Sequence, residues 1–183
     1  INSISPERAK NLSESDYHVA HSALSRVLAV FFNQNQAPIF ASSAVRKALA
    51  LTADKQAIID QALAGYGELL DSPLPPGTLG EKTATQEKPR ADRLAAARAL
   101  LTKDGWSFDT KQQLWTKKVK KDVQTLSFTL STSEAPELKT VASALKASWA
   151  ELGVPVDIRV FATGDLKETV VRPRKFDALF FGQ

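Results

Sequence analysis

Residues 136–160, PELKTVASALKASWAELGVPVDIRV, decide the fold of this chain. Pro136 opens a helix at the position where its missing N–H leaves no hydrogen bond unmade. Leu138, Val141, Ala142, Leu145, Trp149 and Leu152 then recur at helical spacing and form one apolar stripe. Gly153 ends the helix, and Val154, Val156, Ile158 and Val160 alternate with the two-residue period of a strand. Downstream, Asp165 to Val171 reads as a short helix and Phe176 to Phe181 as a further strand. Upstream, Val123 to Ser131 reads as a strand. In it Leu126, Phe128 and Leu130 alternate with Thr125, Ser127 and Thr129, so one face is expected to be wet or weakly packed. The order is strand, helix, strand, helix, strand. Strands joined through helices run parallel with right-handed crossovers, so the expected class is α/β, with a mixed sheet flanked by helices.

Further upstream, Leu114 to Val119 pairs with the strand at Val123 in a polar hairpin. Ala91 to Lys103 has helical spacing in Leu94, Ala97, Leu100 and Leu101, and Gly105 stops it before Trp106. Residues 72–90 hold Pro73, Pro75, Pro76, Gly77 and Gly80 and read as a loop over the surface. Ser42 and Ser43 cap a helix carrying Val45, Ala48 and Leu49. Asp54 is expected to cap a second one with Ile58, Ile59, Ala62 and Leu63, ended by Gly65 and Gly67. Arg26 to Asn33 is an apolar run bounded by polar residues, which predicts a central strand buried on both faces. Tyr17 to Leu24 is read as extended, and Ser5 to Leu12 as a short helix with Pro6 in its first turn.

With 43% apolar residues in 183, the chain is long enough for one domain with its own core. A net charge of +4 lacks the dense basic stripe that nucleic-acid binding demands, so no nucleic acid is expected as partner. The longest apolar stretch, Val27 to Phe32, is too short for a bilayer span. The absence of cysteine removes disulfides, thiolate metal sites and thiol nucleophiles together. Ile1 and the apolar run before Gln183 make both ends read as cut from a longer polypeptide.

Several stretches in order resemble one known family. They are Leu28-Ala29-Val30-Phe31-Phe32-Asn33 with Pro38 and Phe40, then Ala44-Val45-Arg46-Lys47-Ala48-Leu49 and Asp54-Lys55. Ser72 to Gly77, Ala96 to Trp106, Leu126 to Val156 and Phe176 to Gly182 follow. Together they are similar to the C-terminal lobe of the family 5 extracellular solute-binding proteins, the peptide- and nickel-binding components of ABC importers. The resemblance implies a periplasmic-binding-protein-like fold of the second type, with residues 1–183 as one lobe of two that close over a ligand. It further implies a monomer outside the cytoplasm, a peptide or other small solute as ligand, an ABC permease as partner, and no cofactor. An isolated lobe is not expected to bind such ligands well. The alternative is a protein-interaction module that docks a permease or sensor.

Ligands of open α/β sheets lie outside the carboxyl ends of the strands. Asn33, Asn35, Ser131 and Ser133, with Gly182 and Gln183, are therefore expected to face one cleft. Asn33 ends a buried strand and must find hydrogen bonds, either to local backbone or to a ligand. Ser131, Thr132 and Ser133 either present hydroxyls to a ligand or cap the following helix. His18 and His21 fall on opposite faces of an extended segment, so no metal site is expected there. Lys117, Lys118, Lys120 and Lys121 read as a solvated turn, Arg46 as a structural anchor, and Trp106 and Trp115 as packing residues. With no Gly-x-Ser-x-Gly turn, no phosphate-cradling loop and no histidine beside a nucleophile, the chain is not expected to be an enzyme.

Overall fold

The computed structural model describes residues 11–12, 26–70, 74 and 87–182. The predicted Tyr17–Leu24 segment, both histidines, most of the 72–90 loop and Gln183 lie outside them, as do all but the last two residues of the Ser5–Leu12 helix. The deciding stretch folds as its pattern dictates. Helix α4 (Pro136–Leu152) buries Leu138, Val141, Ala142, Leu145, Trp149 and Leu152 and ends at Gly153, whose φ of 88° suits a residue without Cβ. It joins strand β5 (Phe128–Ser133) to strand β6 (Val156–Phe161), which pair in parallel with Leu130 opposite Ile158. A short helix α5 (Thr163–Asp165) runs into a π-helical turn (Leu166–Val171). The chain then enters β7 (Ala178–Gly182), parallel to β5 on its other side. Strand β1 (Leu28–Phe32) lies antiparallel on β7, giving the order β1-β7-β5-β6. The sheet is mixed and flanked by helices, as expected.

Between β1 and β5 come a 3-10 turn (Pro38–Ala41), helices α1 (Ser43–Thr52), α2 (Lys55–Ala62) and α3 (Arg90–Lys103), and strands β2 (Ser107–Asp109), β3 (Leu114–Val119) and β4 (Asp122–Thr125). The three short strands form their own antiparallel sheet. The main core lies between one face of the larger sheet and α1, α3 and α4. There Phe32, Phe40, Phe128 and Trp149 meet in series, tilted or edge-on, at centroid distances of 4.5–5.3 Å. A smaller cluster, Leu166, Val170 and Leu179, seals the other face beneath the π-helical turn.

Three expectations are corrected. β1 is the outermost of the described strands on its side, not a central one, and Phe31 is 52% exposed. Leu28, Val30 and Phe32 pack on the core, while alternation turns Ala29 and Phe31 to the other face, where little covers the ring. The expected Val123–Ser131 strand is two strands. Leu126, fully buried and bonded through its N–H to the Trp115 carbonyl, marks the point where the chain leaves the small sheet for the large one. β5 then lies between two neighbours with both faces packed, and only Thr129 of its residues is half-buried. Finally, Asp54 stands at the start of α2 but makes no capping bond. Its carboxylate turns instead to Arg90 at 3.0 Å and Arg93 at 3.3 Å. Ser42 does cap α1, accepting the Val45 N–H at 3.3 Å.

Candidate functional site

β5, β6 and β7 are parallel, so Ser133, Phe161 and Gly182 end them on one edge of the sheet. At the end of β5 three successive polar residues are buried: Ser131 (2% exposed), Thr132 (0%) and Ser133 (3%). Thr132 donates its hydroxyl to the Phe180 carbonyl at 3.1 Å, which ties β5 to β7. The Ser133 hydroxyl accepts the Ala135 N–H at 3.4 Å, and the Glu134 N–H reaches the Phe161 carbonyl at 2.9 Å. These bonds fix the turn that starts α4 against the end of β6. Glu137 sits in the first turn of α4, where a negative charge complements the helix dipole, and Arg26 faces it at 3.7 Å.

The register of β1 decides where the asparagines go. Leu28 pairs with Gly182 and Phe32 with Ala178, so β1 starts at the carboxyl edge and ends at the opposite one. Asn33 Nδ2 donates to the Arg174 carbonyl at 2.9 Å, and its Oδ1 accepts from the N–H groups of Asn35 (3.2 Å) and Gln36 (3.3 Å). Its own N–H is bound by Asp177. Asn33 thus organises the turn after β1, and Asn35 is exposed in that turn. The four candidates do not converge: Ser131 and Ser133 stand at the carboxyl edge, Asn33 and Asn35 across the sheet from it. The expectation of one shared cleft edge fails because strand direction is set by pairing between distant segments and leaves no mark in a local apolar run.

The other singled-out residues have structural partners. Arg46 donates to the carbonyls of Phe40 and Ala41 and so holds the 3-10 turn to α1. Trp115 donates Nε1 to the Leu152 carbonyl at 2.7 Å, anchoring the small sheet to the end of α4. Lys117 leaves the basic hairpin to meet Asp104, while Lys118, Lys120 and Lys121 are exposed. A shallow groove touching Phe108, Trp115 and Gly153 lies at this end of α4, about 25 Å along the helix from the carboxyl edge.

Sequence reading missed four polar residues. Asp177 accepts both the N–H (2.9 Å) and the hydroxyl (2.8 Å) of Thr129, and so completes β5 where β7 begins. Arg93, 7% exposed, donates to the carbonyls of Lys88 and Ala53 at 3.0 Å and faces Asp54 and Glu87. Beside it Arg90 has its pKa raised. The hydrogen bond it donates to Glu151 is the largest cause, burial opposes it, and the charges of Glu151 and Asp54 and the bond to Asp54 add to it. Arg26, just ahead of β1, is the fourth. The signal for Arg93 is an arginine on the apolar side of a helical repeat, four residues before Ala97 and eight before Leu101. For Asp177 and Arg26 the local pattern holds no signal.

Chemically, the carboxyl edge brings the start of α4 and the half-exposed Arg26 guanidinium together over buried hydroxyls that brace the turn, and the cationic group is of a kind that holds carboxylate oxygens. Among the described residues no group of three or more histidine, cysteine or acidic side chains is placed to hold a metal ion.

Sequence comparison matches residues 1–183 to the family described as bacterial extracellular solute-binding proteins, family 5 Middle. Di/tripeptide-binding protein 3 of Pseudomonas aeruginosa strain UCBPP-PA14 is 29% identical over 138 residues, covering 75% of this chain and 23% of that protein. The chain therefore spans about a quarter of that relative's length. Among solved structures, an ABC transporter substrate-binding protein from Sinorhizobium meliloti superposes with a TM-score of 0.78 at 23% identity, over 98% of this chain and 34% of that one. The oligopeptide-binding protein AppA from Bacillus subtilis, in complex with a nonapeptide, gives 0.73 at 22% identity, over 86% and 31%. At these identities the structures speak for the fold alone, a solute-binding-protein lobe, while the family match spans every residue. The chain belongs to the bacterial extracellular solute-binding proteins, family 5.

Proposed function

We propose that residues 1–183 form one lobe of a two-lobed binding protein, which closes over a peptide or similar small solute outside the cytoplasm and presents it to an ABC permease. The observation that carries this is the carboxyl edge. Three parallel strands end together there, and the buried Ser131-Thr132-Ser133 run turns into the start of α4, where topology expects a ligand. Relatives named as di/tripeptide-binding proteins support a peptide as the solute. Ser131 and Ser133 build the wall of this edge, with Ser133 shaping the helix start. Asn33 and Asn35 serve the opposite edge and take no part in the cleft. The 72–90 segment is a surface loop of the same lobe. The lobe clamps and releases, and it performs no covalent chemistry.

Titration calorimetry of the full-length protein carrying this chain against a peptide library tests the reading. Saturable binding of short peptides is the expected result. Failure to bind any peptide, sugar or metal chelate would remove its support.

A further inference from the structure

Arg26 stands where three elements meet at the carboxyl edge. It lies just ahead of β1, and its guanidinium rests over Gly182 at the end of β7. A Cβ at position 182 would come within 2.9 Å of Nε and 3.3 Å of Nη2, and within 2.4 Å of Leu28 Cδ2, so in this arrangement the arginine occupies the space that the glycine leaves open. On its other side Nη1 faces Glu137 in the first turn of α4 at 3.7 Å. That separation is longer than a hydrogen bond, and the two side chains are 45% and 35% exposed. The guanidinium is therefore held near a carboxylate by attraction, without the paired N–H···O bonds that arginine forms with a carboxylate meeting it face on.

We propose that Arg26 is the group of the cleft that receives a carboxylate of the solute, and that Glu137 is an internal competitor which faces Arg26 until the solute arrives. This rests on the solute-binding reading above and adds the solute class: a molecule with a free carboxylate, such as the C-terminus of a short peptide. A solute carboxylate meeting the fork of Arg26 makes two parallel charge-assisted hydrogen bonds where Glu137 makes none. The start of α4 beside it favours the added negative charge, and the Glu137 carboxylate opposes it. The two side chains therefore act with opposite signs. Loss of the Arg26 charge weakens carboxylate binding, whereas loss of the Glu137 charge frees Arg26 and strengthens it. A pair that served only to hold α4 to β1 would weaken binding, or leave it alone, whichever partner was lost.

The test is calorimetry on the full-length protein with one short peptide in two forms, C-terminal carboxylate and C-terminal amide. The free acid is expected to bind about tenfold more tightly or better, Arg26→Gln to abolish that preference with the amide changed less than about twofold, and Glu137→Gln to tighten the acid several-fold. Arg26→Lys, which keeps the charge and loses the fork, retains part of the preference. Equal binding of acid and amide by the unsubstituted protein overturns the assignment and leaves the solute-binding reading standing. So does equal weakening of both forms by Arg26→Gln, or a Glu137→Gln variant that fails to tighten the acid. Should Arg26→Gln not fold, the sign of the Glu137→Gln effect decides alone. If the unsubstituted protein binds neither form of any peptide, both readings fall.

Discussion

Asp104 gathers three donors from three parts of the chain: Ser42 Oγ at 2.9 Å, Lys117 Nζ at 3.0 Å and Trp106 Nε1 at 3.2 Å. Ser42 is also the cap of α1, and Asp104 directly follows α3, so this carboxylate joins the start of one helix to the end of another. Lys117 brings β3 to the same point and lies 5.8 Å from the centre of the Trp106 ring. Burial acts to raise the Asp104 pKa, but the Lys117 and Ser42 hydrogen bonds, the Lys117 charge and the Trp106 N–H together hold it below the ordinary carboxylate value. A depressed folded pKa means that the stabilisation is complete above the unfolded value, about 3.9, and is lost as pH falls through the lower folded one. Asp104→Asn is expected to cost about 1–2 kcal/mol at pH 7. Urea titrations of the two proteins should keep that gap down to about pH 5 and close it progressively below pH 4. A gap that widens on acidification would mean another group dominates. None of this was legible in the sequence, where Asp104 looks like a residue ending a helix; its partner Ser42 is 62 positions away.

Helices α1, α2 and α3 share apolar contacts in the main core and are tied further by one buried arginine. Arg93, on α3, donates to the Ala53 carbonyl that follows α1 and to the Lys88 carbonyl ahead of its own helix, and its charge is matched by Asp54 and Glu87. Among the described residues no fully buried side-chain nitrogen or oxygen is left without a partner, so the node is closed. Arg93→Ala leaves two carbonyls and two carboxylates without their shared donor and is expected to cost about 3 kcal/mol, measured as a shift in the urea midpoint at constant m. Arg93→Lys should recover only a minor part, since an ammonium cannot serve both carbonyls and both acids from one fork. An alanine variant within 1 kcal/mol of the original would show that the node is replaceable by water. Elements with a strong period, α3, α4 and β6, were legible in the sequence, because one buried face imposes its spacing on consecutive residues, and β7 was legible as a short apolar run. Neighbour order was not. β1 reads as central because it is apolar throughout, yet its pairing leaves Phe31 half exposed. The break between β4 and β5 falls inside an unbroken alternation, which both sheets satisfy. Asn33 and Ser133 were misjoined for the same reason, since a strand's direction is fixed only when β7 arrives some 150 residues later.

The chain has one main buried core, and the proposed binding edge lies at the carboxyl ends of its parallel strands. One face of its sheet is buried by α1, α3 and α4 and the other is covered in part by the π-helical turn, with Phe31 left half exposed, so the chain has a core of its own and should fold cooperatively by itself. Binding is different. A small-molecule site buries most of its ligand's surface, and the proposed edge of Arg26, Ser133 and the start of α4 would touch a ligand from one side only. The remaining apolar burial and hydrogen bonds have to come from an opposing surface, while the loss of translational and rotational freedom is incurred in full by either form. The 183-residue chain is therefore expected to bind any peptide at least 100-fold more weakly than the full-length protein, a difference of about 2.7 kcal/mol. Calorimetry of both under one buffer checks this, with a cooperative urea transition of the isolated chain as proof that it is folded. Equal affinities would place the complete site within these residues and would discard the clamp. A folded chain with weak binding that still prefers acid over amide would locate the charge readout in this lobe and the bulk of the affinity in its partner.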